Sequence, residues 1–157
     1  MTNSERKAKS GLTLLELTIA LSLLMVFLGM ILINTSANNN EERILNNAAR
    51  VLQADLRYAQ RRAIMEGKRY GICFKDGDSY HLVTDIVRSS YDTTIRTVEL
   101  PDGVEASINT SSNFINYLPR GTISGGATVT LTLDKWKQRI TLSPSSGRAT
   151  INEIEEK

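Results

Sequence analysis

The sequence predicts an α+β protein: a long N-terminal helix, apolar all round in its first half, whose second half packs on an antiparallel β-sheet head. Three observations predict it. Between Leu12 and Ile33 there are 17 apolar residues in 22, with Glu16 the single charge. Beyond Glu41, apolar residues recur at helical spacing on one face. Beyond Gly67 the pattern changes to short alternating runs separated by turn residues, which is the mark of strands.

Composition excludes several classes. The 157 residues fit one ordinary domain with a small appendage. One Cys and one His rule out a disulfide framework and a zinc site built on several of them. The formal charge of +2 is too small for a general polyanion binder, and it sits in residues 1–11, where Arg6, Lys7 and Lys9 face only Glu5. The rest of the chain holds 16 positive and 16 negative side chains.

Residues 12–33 read as a transmembrane helix. At about 1.5 Å per residue such a helix reaches roughly 33 Å, enough for a hydrocarbon core of about 30 Å. The preceding cations favour a cytoplasmic N-terminus, with everything after Ile33 on the far side. A cleaved secretory signal has a shorter apolar core, although Thr35-Ser36-Ala37 offers a weak small-residue site. A plain anchor does not explain Glu16. A carboxylate at a membrane-helix centre costs about 2.5–3.5 kcal/mol, and less near an end, where it snorkels to the headgroups. Gly11, directly before the run, has no Cβ and lets a protease approach the backbone. A cut after Gly11 makes Leu12 a new cationic terminus four residues from Glu16, on one helix face. Thr18, Ser22 and Gly29 also share a face, where small residues permit close helix approach in lipid.

The outer part, residues 34–67, reads as an amphipathic helix. Residues 34–40 are polar and poor helix formers, so they read as a frayed joint or an exposed turn. Leu45, Ala49, Leu52, Leu56, Ala59 and Ala63 then form one apolar stripe, with Asp55, Arg57, Gln60, Arg61 and Arg62 placed elsewhere on the wheel. Gly67 reads as the C-cap.

Residues 68–157 read as the β-rich head. Tyr70, Ile72 and Phe74 alternate, Asp76-Gly77 signals a hairpin, and Tyr80, Leu82 and Ile86 continue on one face. His81 and Cys73 fall on the opposite parity. Residues 87–97 are polar and read as a loop entering another short strand. Pro101-Asp102-Gly103 is a turn, and Val129, Leu131 and Leu133 alternate with threonines. Asp134 to Gln138 read as a loop, Ile140 and Leu142 pair back, and Pro144 to Gly147 turn before Ala149 and Ile151.

The stretch from Lys9 to Ile33, KSGLTLLELTIALSLLMVFLGMILI, resembles the class III leader of type IV pilins and pseudopilins. The resemblance implies a leader of residues 1–11, cleavage by prepilin peptidase between Gly11 and Leu12, N-methylation of Leu12, and alignment of the incoming subunit by Glu16. It departs at Leu12, where the family usually has Phe. Leu52 to Gly67 is similar to the outer helix of the GspH/FimT group of minor pseudopilins. Phe114 to Gly121, TVTLTL and RITLSPSSGRATI, with Gly147-Arg148, are similar to that group's closing strands. Together these imply a pilin-like lollipop and a minor pseudopilin of a type II secretion pseudopilus. They imply as partners prepilin peptidase, other pilin-like subunits, the membrane and the inner-membrane assembly platform. They also imply a single-pass cytoplasmic-membrane precursor with its head outside, later held in a filament. No cofactor or metal is implied, and the chain is a substrate of an enzyme, not an enzyme. A minor type IV or competence pilin, or an anchored binding module outside any filament, are the alternatives.

DNA contact is the rival with chemical content. Lys135-Trp136-Lys137-Gln138-Arg139 interleaves cations with an aromatic, and Arg120 and Arg148 are placed to join it. A solvated loop and the acidic tail Glu153, Glu155 and Glu156 weigh against it. His81 makes no triad, Asp76-Gly77-Asp78 is a hairpin and not a calcium loop, Gly125-Gly126 is a turn, and Cys73 is a half-buried strand thiol.

Overall fold

The computed structural model describes residues 13–87 and 90–157, and the side chains among them apart from those of residues 30–39, 87, 90 and 92. Among the described residues there are one helix, α1 (Leu14–Glu66), and eight strands. These are β1 (Tyr70–Phe74), β2 (Ser79–Val87), β3 (Ser90–Glu99), β4 (Glu105–Ile108), β5 (Phe114–Tyr117), β6 (Ala127–Leu133), β7 (Trp136–Leu142) and β8 (Ala149–Glu156). The chain divides into two compact units, Met1–Asn39 and Asn40–Lys157. The polar joint expected at residues 34–40 is helical, because α1 runs through it.

In the first unit, Thr13 starts the helix. The Glu16 amide donates to Thr13 Oγ1 at 3.3 Å and the Leu17 amide to the Thr13 carbonyl at 3.1 Å. The Thr18 and Ser22 hydroxyls donate to the carbonyls of Leu15 and Thr18, both at 2.8 Å, so the helix itself satisfies them. Eleven large apolar side chains from Leu14 to Leu28 are 52–83% exposed. No helix is long and apolar enough to cross a membrane among the described residues. The expected span of residues 12–33 runs past the described side chains at both ends.

The second unit is built on the predicted stripe. Leu45, Ala49, Leu52, Leu56, Ala59 and Ala63 are all fully buried. Burial of each leucine contributes about 1.5–3 kcal/mol. Gly67 ends the helix at φ +65°, a conformation without penalty only for glycine. The head holds two antiparallel sheets, not one, in the orders β3-β2-β1-β5 and β4-β6-β7-β8. Tyr70, Ile72, Tyr80, Leu82, Ile115 and Tyr117 of the first share a core with the helix stripe and with Val129, Leu131, Ile140 and Leu142 of the second. That core lies wholly inside residues 45–149.

Three expectations about the head need correction. The strand expected at the end of the polar segment 87–97 is long and starts early: from Ser90 the chain is β3, paired with β2 from Ile86↔Tyr91 to Ser79↔Glu99. It is an edge strand whose threonines are exposed on both faces, so it lacks an alternating pattern. Asp134 to Gln138 is not a loop. Leu133 pairs with Trp136 across a two-residue turn, which Asp134 makes possible at φ +50°. Lastly, Ile86 does not join Tyr80 and Leu82. Asp85 takes φ +55°, the alternation breaks, and Ile86 moves to a second cluster with Val83 and Phe114, against which Cys73 and Tyr91 pack.

Polar seams hold the helix to the sheets. Asp55, expected off the apolar stripe, is buried, at 6% exposure. It accepts the Tyr80 hydroxyl at 2.7 Å and a bond from Arg96 of β3. Gln60 Nε2 donates to the carbonyls of Gly121 at 2.8 Å and Ser146 at 2.7 Å, tying the helix to one loop from each side of β6 and β7. Gly147, at φ +64°, accepts the Tyr117 hydroxyl at 3.1 Å, and a Cβ there would strike the Gly121 carbonyl and Gln60 Nε2.

Gly147→Ala should therefore lower the thermal midpoint, with about 1–3 kcal/mol lost to the left-handed backbone alone and more to the collision; an unchanged midpoint would contradict the packed seam. Asp55→Ala leaves the Tyr80 hydroxyl buried without an acceptor and should cost about 2 kcal/mol in denaturant unfolding. Tyr80→Phe leaves the buried Asp55 Oδ2 without its donor while the Arg96 bond remains, and should also cost about 1–3 kcal/mol. Stability should also fall in alkali. Burial lifts the Tyr80 and Tyr117 phenols above their ordinary value of 10.0, and the Asp55 hydrogen bond lifts Tyr80 further. The unfolded chain then loses these protons first as pH passes about 10, so stability is full below that pH and declines above it. A flat denaturant midpoint from pH 8 to 11 would contradict this.

Candidate functional site

Two regions carry candidate function, one in each unit. In the first, Gly11 and Leu12 lie outside the described residues. Glu16 stands in the first turn of α1. Thr13 and Glu16 have the spacing of a capping box, and the Glu16 amide bond to Thr13 Oγ1 is one half of it. A carboxylate in a first turn is also favoured by the helix dipole. Sequence reading treats Glu16 as a costly acid in an apolar run and as the partner of a new terminus, not as part of a helix start. The residue three positions before it was the signal that it also starts the helix. Around it, Leu14, Leu15, Leu17 and Ile19 point outward on all sides at 53–83% exposure. This is a surface of apolar side chains with one carboxylate near its beginning. An exposed apolar surface of this extent marks a site of protein or membrane interaction.

In the second unit the structure separates the residues of the expected basic patch. Lys135 lies in the β6–β7 turn, its Nζ 5.2 Å from the centre of the Trp136 ring. Lys137 and Arg139 both bind Glu155 of β8, with Lys137 Nζ at 3.5 Å. The hydrogen bond from Arg139 is the main reason the Glu155 carboxyl sits below the usual carboxylate range. The acidic tail is thus a strand that neutralises its neighbour. Arg148 is not near them. Trp136 pairs with Glu156 at one end of the β7–β8 hairpin, whereas Arg148 precedes Ala149, which pairs with Leu142 at the other end. Arg148 lines a shallow groove with Ser143, Ser146 and Asn152. Phosphate would have to displace Glu155 from two of the five patch residues.

The remaining candidates are structural. His81 Nδ1 shares a hydrogen bond with Thr97 Oγ1 at 2.8 Å across β2 and β3. Asp76 and Asp78 flank Gly77, whose φ of +83° makes the hairpin turn. No group of three or more metal-binding side chains occurs among the described residues. Cys73 is half-buried against the second cluster, and burial raises its thiol pKa, which makes it a poor nucleophile. The residue that sequence reading missed is Asp55. It follows Leu52 by three positions and precedes Ala59 by four, so it stands on the buried stripe itself.

Solved structures share this fold. The type IV minor pilin FimU of Pseudomonas aeruginosa matches at a TM-score of 0.59 and 19% identity, over 69% of this chain and 88% of that one. The minor pseudopilin EpsH from the type II secretion system of Vibrio cholerae matches at a TM-score of 0.56 and 13% identity, over 69% of this chain and 95% of that one. At such identities the likeness establishes the fold. No curated protein matches the sequence. The family model described as "Type II transport protein GspH" covers residues 48–147, from within the helix stripe through strand β7 to Gly147. That span takes in the buried stripe from Ala49 on, seven of the eight strands and the glycine seam, and it shows that the chain belongs to the GspH family.

Proposed function

We propose that this GspH-family chain is made as a membrane-anchored precursor, cut after Gly11, and assembled as a minor pseudopilin into a type II secretion pseudopilus. One observation carries the proposal. A helix that exposes eleven large apolar side chains, with an acid in its first turn, continues in sequence into a GspH head. A head alone would not need such a surface. Lipid covers it during storage, and neighbouring helices cover it in a filament.

The chemistry follows from the order of residues. Residues 12–33 anchor the precursor in the cytoplasmic membrane, with residues 1–11 on the cytoplasmic side, where their cations favour retention. Prepilin peptidase reaches the Gly11–Leu12 bond because Gly11 offers no side chain. Cleavage removes most of the leader charge and leaves Leu12 as an α-amine, which is then N-methylated and stays cationic. Glu16 sits one turn along. On a single chain in lipid, the acid must reach for the headgroups. Beside another subunit, it meets that subunit's terminal amine, and the pairing offsets the cost of keeping a carboxylate among apolar side chains. Leaving lipid for the filament is thereby favoured, and only at the axial position where the two charges meet. The head then supplies the outer surface at that position, and the assembly platform supplies the work of extraction. Members of the family are subunits of transport machinery rather than enzymes.

Intact mass of the membrane-extracted protein should show loss of residues 1–11 and a methyl on Leu12 when prepilin peptidase is present, and the full chain when it is absent. Recovery of the uncut chain in the presence of active peptidase would refute the proposal. Gly11→Val should block the cut. Glu16→Leu should leave cleavage and anchoring intact and abolish recovery of the subunit in sheared filaments; normal incorporation would remove the assigned role of the acid.

A further inference from the structure

The outer half of α1 has a second apolar stripe, separate from the one that builds the core. Ile44, Val51, Tyr58 and Met65 follow at steps of seven and remain 39%, 51%, 42% and 78% exposed. A strict seven-residue repeat on one helix face is the spacing at which a second helix packs alongside. Beside the stripe runs a row of cations. Arg43, Arg50 and Arg57 each precede a stripe residue by one position, Arg61 continues the row, and all four are exposed. None forms an ion pair among the described residues; Arg50 Nε lies 3.4 Å from Asn46 Oδ1. Arg62 differs, being paired with Glu66 at 2.9 Å and stacked 5.7 Å from the Tyr58 ring centre.

The other side of the stripe opens onto β3. A groove of about 500 Å³ lies there, lined by Ala54, Asp55, Tyr58, Leu82, Ile95 and Arg96. Ile95 is the residue left over where the β2–β3 register shifts, since Leu82 pairs with Arg96 and Val83 with Thr94. A bulge re-aims its side chain. Ile95 is 42% exposed at the groove. The one carboxylate in the groove, Asp55, is already engaged by Tyr80 and Arg96.

We infer that this face is a docking surface for an amphipathic helix of a different protein, whose heptad apolar stripe is flanked by carboxylates. The apolar stripe and groove receive its large side chains, and the arginine row receives its acids. A second copy of this chain does not fit. Antiparallel pairing sets the arginine row against itself, and parallel pairing sets Arg57 against Arg62 and offers Arg50 only the buried Asp55. A nucleic-acid backbone would use the arginines and leave Ile44, Val51 and Met65 exposed. The inference concerns residues 40–157 and does not depend on leader cleavage.

The test uses residues 40–157, whose core is complete without the preceding segment, and fluorescently labelled four-heptad helical peptides of one apolar sequence. One peptide carries Glu in the flanking positions and one carries Lys; labelled duplex DNA is the third probe. By anisotropy at low salt, the Glu-flanked peptide should bind at least about tenfold tighter than the Lys-flanked one, and the difference should shrink as salt rises. Arg50→Glu with Arg57→Glu should reverse the preference. Val51→Asp with Tyr58→Ser should abolish binding of both peptides, and the thermal midpoint should stay within a few degrees because these side chains are exposed. Binding of neither peptide, equal binding of both, binding of DNA alone, or self-association in sedimentation would each overturn the inference.

Discussion

The head depends on one wall: the buried face of α1 between Leu45 and Ala63. The second sheet has no core of its own, and the first has only the small cluster of Val83, Ile86 and Phe114 apart from the helix. The first contributes Tyr70, Ile72, Tyr80 and Tyr117, the second Val129, Leu131 and Ile140, and both close on the same leucines and alanines. The mixture of Leu and Ala along the stripe matters here. The alanines at 49, 59 and 63 let backbones come close, and the leucines at 45, 52 and 56 fill the space between. The polar ties at Asp55 and Gln60 leave from the same helix, so position along the wall is set by hydrogen bonds as well as by volume.

This explains which parts of the fold were legible in the sequence. The helix stripe was legible because its residues meet both sheets and none has a solvent-facing alternative. Strand β6 was legible because one face is more deeply buried than the other, and β1 because large Tyr70, Ile72 and Phe74 alternate with small Gly71 and Cys73. The early start of β3 was not legible, since Thr93, Thr94, Ile95 and Arg96 are exposed and leave no period-two signal. The number of sheets was hidden for a related reason: strands facing one wall from either sheet carry the same pattern. The tight β6–β7 turn was hidden by chemistry, because Asp134 adopts a left-handed conformation that its neighbours in sequence do not announce.

The candidate sites divide in the same way. The leader pattern is a run of consecutive residues and needs no fold to be seen. The expected nucleic-acid patch keeps Lys137 and Arg139 together but pairs both with Glu155, because it was read from one strand while the opposing charge lies on the next. Glu155 is 16 residues from Arg139 in sequence and bonded to it in space. The buried role of Asp55 needed only the spacing to Leu52 and Ala59 to be taken at face value, against the habit of placing acids outside.

Strand β8 closes one margin of the second sheet, and Glu153 and Glu156 stand exposed along it. Two molecules meeting by that margin would oppose carboxylate to carboxylate, so the strand is a poor template for further strands. The head is thereby guarded against edge-to-edge aggregation along this margin.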